Sequence, residues 1–153
     1  MKAGEFLTKQ KHLVLPLIVY EDELIDDVLQ KLLKFRTYQL VYVQDKEEKL
    51  VGYIPSSTLI KHYASEHVVA SDGHTFAGQI LHYVTSMHAR DIMKKRILYC
   101  YEEEELSDIF LQMMKEKHPY VIAVLNDKEE HVGFLDLLDM TEEIIAESDN
   151  DEA

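Results

Sequence analysis

Residues 45–48 read Asp-Lys-Glu-Glu and residues 127–130 read Asp-Lys-Glu-Glu again, each run soon followed by Val-Gly and an aromatic residue. A chain that repeats itself once at this length is constrained to fold as two similar units, because a solenoid needs more and shorter repeats. Carried backwards at an offset of 82, the match pairs Glu21 with Glu103, Glu23 with Glu105, Leu24 with Leu106, Asp26 with Asp108, Leu29 with Leu111, Gln30 with Gln112 and Tyr38 with Tyr120. Eleven identities fall in the 28 positions from Glu21 to Glu48, far above what unrelated segments give. After the acidic run the second copy reads one residue shorter, so Val51-Gly52-Tyr53-Ile54 meets Val132-Gly133-Phe134-Leu135. A slip of that size is expected in a hairpin turn. A cleft between two such halves is the first place to look for a ligand.

The 153 residues suffice for one sizeable core or two half-cores, and 46% apolar content suits a globular protein. The longest apolar stretch, Leu13 to Tyr20, contains Pro16 and runs into Glu21-Asp22-Glu23. It is too short for a membrane span and has no cleavage site after it, so no membrane association is expected. A single cysteine, Cys100, leaves no disulfide framework and points to the cytoplasm. Sixteen Lys and Arg against 29 Asp and Glu give a formal charge of −13. Such a surface repels a phosphate backbone, which argues against nucleic acid as a partner.

Both copies show one order of elements. Leu13–Tyr20 and Ile97–Tyr101 are short runs rich in β-branched and aromatic residues and read as strands. Leu24, Ile25, Val28, Leu29, Leu32 and Leu33 share a helical face, as do Leu106, Ile109, Phe110, Met113 and Met114. Leu40–Val43 and Val121–Leu125 are strands again, and the acidic runs turn the chain into Leu50–Ile54 and Val132–Leu135. A second helix closes each copy, with Ser56-Ser57-Thr58 as candidate caps in the first and Asp136 in the second. The fold class is therefore α/β of the mixed α+β kind, with two β-α-β-β-α units. The first unit is assigned to residues 1–60 and the second to residues 89–147.

Residues 61–88 form a connector that the repeat does not explain. Ser71-Asp72-Gly73 is a turn signal, and Phe76, Ile80, Tyr83, Val84 and Met87 recur at helical spacing, which predicts an extra amphipathic helix from about residue 75 to 87. From Glu142 the chain turns acidic and is expected to fray, leaving 148–153 as an acidic tail.

Ala89-Arg90-Asp91-Ile92-Met93, followed by a strand, an amphipathic helix, two strands joined at an acidic turn, and Gly133-Phe134-Leu135-Asp136-Leu137-Leu138-Asp139, resembles a cystathionine-β-synthase (CBS) domain. The first copy resembles a more divergent one. The resemblance implies a tandem CBS pair, or Bateman module, whose units pack with pseudo-two-fold symmetry. It also implies dimerisation, and binding of adenosine-containing ligands such as AMP, ADP, ATP, adenosine or S-adenosylmethionine.

The family's ligand motif places a glycine, then a Ser or Thr, then an Asp at the start of the closing helix. In the second copy Gly133 and Asp139 match, and Asp136 stands at the hydroxyl position. In the first copy Gly52 matches, while Pro55 and Thr58 replace the other two. A carboxylate such as Asp139 can accept hydrogen bonds from both hydroxyls of a ribose, whereas Thr58 makes only part of that interaction. Asp136 brings negative charge to a helix N-terminus that would otherwise favour a phosphate. Arg90, Lys94, Lys95 and Arg96 are the nearby cations that would have to offset it. The resemblance further assigns the apolar floor to Ile97, Tyr99 and Ile122, with Tyr120, repeated as Tyr38, available to stack on a base.

His62, His67, His74, His82 and His88 are spaced so that no two share a helical face in the i, i+4 manner, so no metal site is expected. The sequence contains no nucleophile elbow, Gly-rich phosphate loop or Cys-x-x-Cys pair, and Cys100 sits in an apolar strand. An enzyme is not expected, nor a required cofactor. Two functions remain: a regulatory pair that senses an adenosine-type ligand and signals to a protein partner, and an interaction or dimerisation module that has lost the ligand. The sequence also favours a homodimer through apolar residues of the closing helices, namely Leu59, Ile60, Leu137, Leu138, Ile144 and Ile145.

Overall fold

The computed structural model describes residues 1–11, 16–36, 40–67, 87–115 and 121–152. Tyr38, Tyr120 and nearly all of the helix expected at 75–87 lie outside the described residues. In chain order the elements are α1 (Ala3–Lys9), β1 (Leu17–Tyr20), α2 (Ile25–Phe35), β2 (Leu40–Gln44), β3 (Leu50–Pro55), α3 (Ser56–His67), α4 (Ala89–Ile92), β4 (Tyr99–Tyr101), α5 (Leu106–Lys115), β5 (Val121–Leu125), β6 (His131–Asp136) and α6 (Leu137–Glu152). The chain divides into two compact units, Pro16–Ile97 and Met1–Leu15 with Leu98–Ala153. These are called the first-copy and second-copy units below. The leading segment of each copy thus folds with the other: α1 belongs to the second-copy unit and α4 to the first-copy unit.

Each unit contains a three-stranded sheet, ordered β1-β2-β3 in one and β4-β5-β6 in the other. The first two strands of each are parallel, and the second and third are antiparallel. A parallel pair needs a crossover, which α2 and α5 supply. The apolar stripe of α2, at Ile25, Val28, Leu29 and Leu32, is buried with Val19, Val41, Val43, Ile54, Leu59 and Ala89. The second-copy core gathers Leu106, Ile109 and Met113 of α5 with Cys100, Ile122, Val124, Leu135 and Met140, and Ala3 and Phe6 of α1 complete it. Arg36, in the left-handed region at φ 47°, closes α2 by donating its N–H to the Leu32 carbonyl.

Backbone hydrogen bonds correct the register of the repeat. Glu21 N–H donates to Gln44 O as Glu102 N–H does to Leu125 O, and Glu23 N–H donates to Tyr20 O as Glu104 N–H does to Tyr101 O. Ile25 N–H meets Met87 O where Leu106 N–H meets Met1 O. All three pairs of donors are 81 residues apart, not 82. The hairpins also agree, because Asp45 Oδ1 accepts from the amides of Glu47 and Lys49 while Asn126 Oδ1 accepts from those of Lys128 and Glu130. Glu48 and Glu129 hold the matching positive φ of 63° and 61°. No slip therefore occurs in the second turn. On a helix one residue is a rotation of about 100°, and at an offset of 82 the buried Leu29 would correspond to Leu111, which is 57% exposed. At 81 its counterpart is Phe110, packed against the core, and Val28 and Leu32 correspond to the buried Ile109 and Met113.

The acidic end is helical in the structure, with α6 continuing to Glu152. Once nucleated, a helix gains one hydrogen bond for each residue added, and Glu and Ala are good helix formers. Among the described residues no helix is long and apolar enough to cross a membrane.

Candidate ligand-binding site

In the second-copy unit β6 runs directly into α6. Asp136, the last strand residue, caps the helix: its Oδ1 accepts the N–H of Leu138 at 2.7 Å. Asp139 lies in the first turn. These two are the buried acidic residues among those described, 6% and 8% exposed, and they sit where the helix dipole favours negative charge. Asp139 lines a small cleft of about 110 Å³ between α1 and α6, together with Phe6, Lys9, Gln10, Lys11, Glu142, Glu143 and Ala146. Of these, Lys11 Nζ bonds Glu142 Oε1 at 2.7 Å, and that bond, with the neighbouring charge, raises the ammonium above its ordinary range.

Gln10 contributes the other polar feature. Its Nε2 donates to Phe134 O at 3.1 Å and its Oε1 accepts from Asp136 N–H at 3.0 Å, so one carboxamide binds two main-chain groups on the outer edge of β6. Neither Gln10 nor α1 was anticipated from sequence. The available signal was Ala3, Phe6 and Leu7, which echo Ala89, Ile92 and Met93 at the same spacing.

The remaining expected site residues are dispersed. Strand register places Tyr99, Ala123 and Phe134 in one row and Val121 and Asp136 in the next, and paired residues share a sheet face. Tyr99 is 43% exposed on this face, its ring edge-on to Tyr101 with centroids 5.6 Å apart. Burial raises the Tyr101 phenol, helped by Tyr99 and Glu129. Ile122 points into the core on the opposite face, completely buried, because strand side chains alternate and it is Ala123 that pairs with Tyr99. Ile97 falls at the end of the first-copy unit, half-buried. Tyr120 lies outside the described residues.

Thr58 sits half-buried in the first turn of α3 in the first-copy unit. There Tyr53 and Lys94 exchange backbone hydrogen bonds of 3.0 and 2.8 Å along the edge of β3. Arg90, Lys94, Lys95 and Arg96 all fold with that unit. Cys100 is buried, and desolvation with the nearby Glu104 pushes its thiol up to about 12, which keeps it protonated at neutral pH.

The family model of the CBS domain matches residues 12–65 and again residues 89–146, well over half of the chain. The chain belongs to the CBS domain family. Its two matched segments make it a tandem CBS protein, and solved structures share its fold. A CBS domain-containing protein from Thermotoga maritima is 24% identical, with 92% of each chain covered and a TM-score of 0.64. CBSX2, a CBS-pair protein of Arabidopsis thaliana, in its complex with AMP is 16% identical, with 96% of this chain and 98% of the other covered and a TM-score of 0.65. The CBS domain pair of protein MJ0100, solved with 5′-methylthioadenosine and S-adenosylmethionine, is 17% identical over 96% and 98% of the two chains, with a TM-score of 0.62. No curated protein matches.

Proposed function

We propose that this CBS pair is a cytoplasmic regulatory protein, not an enzyme, that binds an adenosine-containing ligand through the second-copy unit and conveys occupancy to a protein partner. The observation that carries this reading is Asp139: a nearly buried carboxylate in the first turn of α6, lining a cleft and able to accept two ribose hydroxyls. CBS pairs of the same fold have been solved with AMP and with S-adenosylmethionine, which supports the ligand class. Asp136 already occupies an α6 amide with its own carboxylate, so adenosine and S-adenosylmethionine should bind ahead of ATP. The test is calorimetry with adenosine, AMP, ADP, ATP and S-adenosylmethionine. Asp139→Ala is expected to lose roughly 1.5–3 kcal/mol of binding, the worth of hydrogen bonds to a charged group, and Thr58→Ala little. A larger loss for Thr58→Ala would place the site in the first-copy unit, and equal losses would overturn the dominance of the second-copy unit.

A second reading, an interaction or dimerisation module without ligand, is favoured by the cleft itself. Its volume of about 110 Å³ is well below the roughly 300 Å³ at which small-molecule pockets begin. Dimerisation is compatible with both readings. Leu138, Ile145 and Ile60 are 69%, 55% and 57% exposed, whereas Leu59 is buried in the first-copy core and cannot take part. Light scattering should return twice the 17.9 kDa chain mass, and a monomer at tens of micromolar, roughly the range where standard-sized interfaces hold, would exclude the homodimer.

A further inference from the structure

We infer that Gln10 is an internal occupant of the ligand site, a side-chain gate whose carboxamide holds the β6 edge that a purine's amino–imine edge would take. This rests on the adenosine reading above and adds a control element to it. A primary carboxamide presents an N–H donor beside an oxygen acceptor, and Gln10 aims this pair at Phe134 O and Asp136 N–H. Adenine offers the same sequence of groups, its 6-amino donor beside the N1 acceptor. Gln10 and Asp139 line one cleft, so a nucleoside held at Asp139 by its ribose meets the side chain that occupies this edge.

The contact can open without unfolding. α1 is anchored by Ala3 and Phe6, buried in the second-copy core, and by the bonds from the Ala3 and Gly4 amides to Glu104 O and Glu102 O. Gln10 lies beyond the last helical residue and is only partly buried, so rotation about its side-chain bonds breaks both of its bonds to the β6 edge while α1 stays docked. The first-copy unit has no such freedom: the β3 edge is paired backbone to backbone with Lys94, and no side-chain rotation releases it. Two neutral hydrogen bonds favouring the closed form would leave the open form at about a tenth of the population, and a ligand that needs it binds about tenfold more weakly than the site allows.

Adenosine and inosine titrated into the full chain, wild type and Gln10→Ala, decide the matter, with the Asp136 and Val124 backbone amides followed by NMR. Adenosine is expected to bind Gln10→Ala about tenfold more tightly, the Asp136 amide to shift on binding, and inosine, whose 6-oxo and N1–H groups reverse the donor–acceptor order, to gain nothing. Gln10→Glu serves as the isosteric second variant: it keeps the acceptor for Asp136 N–H and loses the donor to Phe134 O, and is expected to fall between wild type and Gln10→Ala. An unperturbed Val124 amide shows that the β5–β6 ladder is intact. Equal or weaker adenosine binding by both variants overturns the gate and leaves the adenosine reading standing. Equal gains for adenosine and inosine overturn the edge assignment. Binding of adenosine to none of the three proteins overturns both the gate and the ligand reading.

Discussion

Both units bring a leading segment against the outer edge of their last strand, but they bind it differently. On the edge of β3 the partner is the Lys94 backbone, and the contact is fixed by the chain path. On the edge of β6 the partner is the Gln10 side chain, which reaches over from the end of α1. A duplicated fold can thus keep its topology while one copy exchanges a main-chain contact for a side-chain contact. The second is the one that can be released locally, and its side chain lines the same cleft as the nearly buried Asp139.

The comparison depends on aligning the units at 81 residues, and core truncation is the sharpest way to break it. Ile109 corresponds to Val28 and is completely buried, whereas Leu111 is 57% exposed although it matches Leu29 by identity at 82. Ile109→Ala is expected to cost about 2–5 kcal/mol, from lost burial and the cavity left behind. Leu111→Ala should stay within about 0.5 kcal/mol, as surface changes do. Urea denaturation measures both, and a large cost at Leu111 would restore the other alignment.

That alignment also shows what was legible in the sequence. The repeated helices and strands were, though not α1, because α2 and α5 repeat their apolar positions every three or four residues and Leu40–Val43 and Val121–Val124 are apolar runs buried on both sides. Register was not. The turn-anchoring position is Asp45 in the first copy and Asn126 in the second, so the Asp-Lys-Glu-Glu runs match in identity one residue out of their structural register. Over Glu21 to Glu48 an offset of 81 gives six identities against eleven at 82, yet it alone superposes the buried faces. Asp136 was legible as a cap because a strand running into a helix marks that position. The face that Ile122 takes was not legible, because on a strand buried on both faces hydropathy does not distinguish them. Gln10 was invisible because its role arises from a contact 124 residues away.

The two motif glycines give the next largest contrast. A Cβ at Gly52 would lie 2.6 Å from Met93 Sδ and 2.7 Å from Lys94 O, and the second of these is main chain in the pairing along β3. At Gly133 the nearest atoms are the methyl carbons of Leu7, at 3.0 and 3.2 Å, which can rotate away. Gly52→Ala is expected to cost roughly 1–3 kcal/mol, the usual range for overpacking, and Gly133→Ala clearly less. Equal costs by thermal or chemical denaturation would mean that the β6 edge is as rigidly covered as the β3 edge, contrary to a releasable contact at Gln10.

The smallest effect tests whether matched core positions are interchangeable. Cys100 and Val19 occupy the same place on the first strand of each sheet, and both are completely buried. Cys100→Val keeps nearly the same volume and should change stability at neutral pH by less than about 1 kcal/mol. The difference should appear in alkali. In the folded protein the thiol holds its proton up to about 12, against an ordinary value of 9.0 in the unfolded chain. Its contribution is therefore fully present below pH 9.0, then shrinks as the unfolded chain alone sheds the proton, and is lost towards pH 12. The valine variant has no proton to lose there. Its urea midpoint should fall less steeply than that of the wild type between pH 9.0 and 12, and parallel curves would show that the thiol is not shielded from water as its place beneath α5 implies.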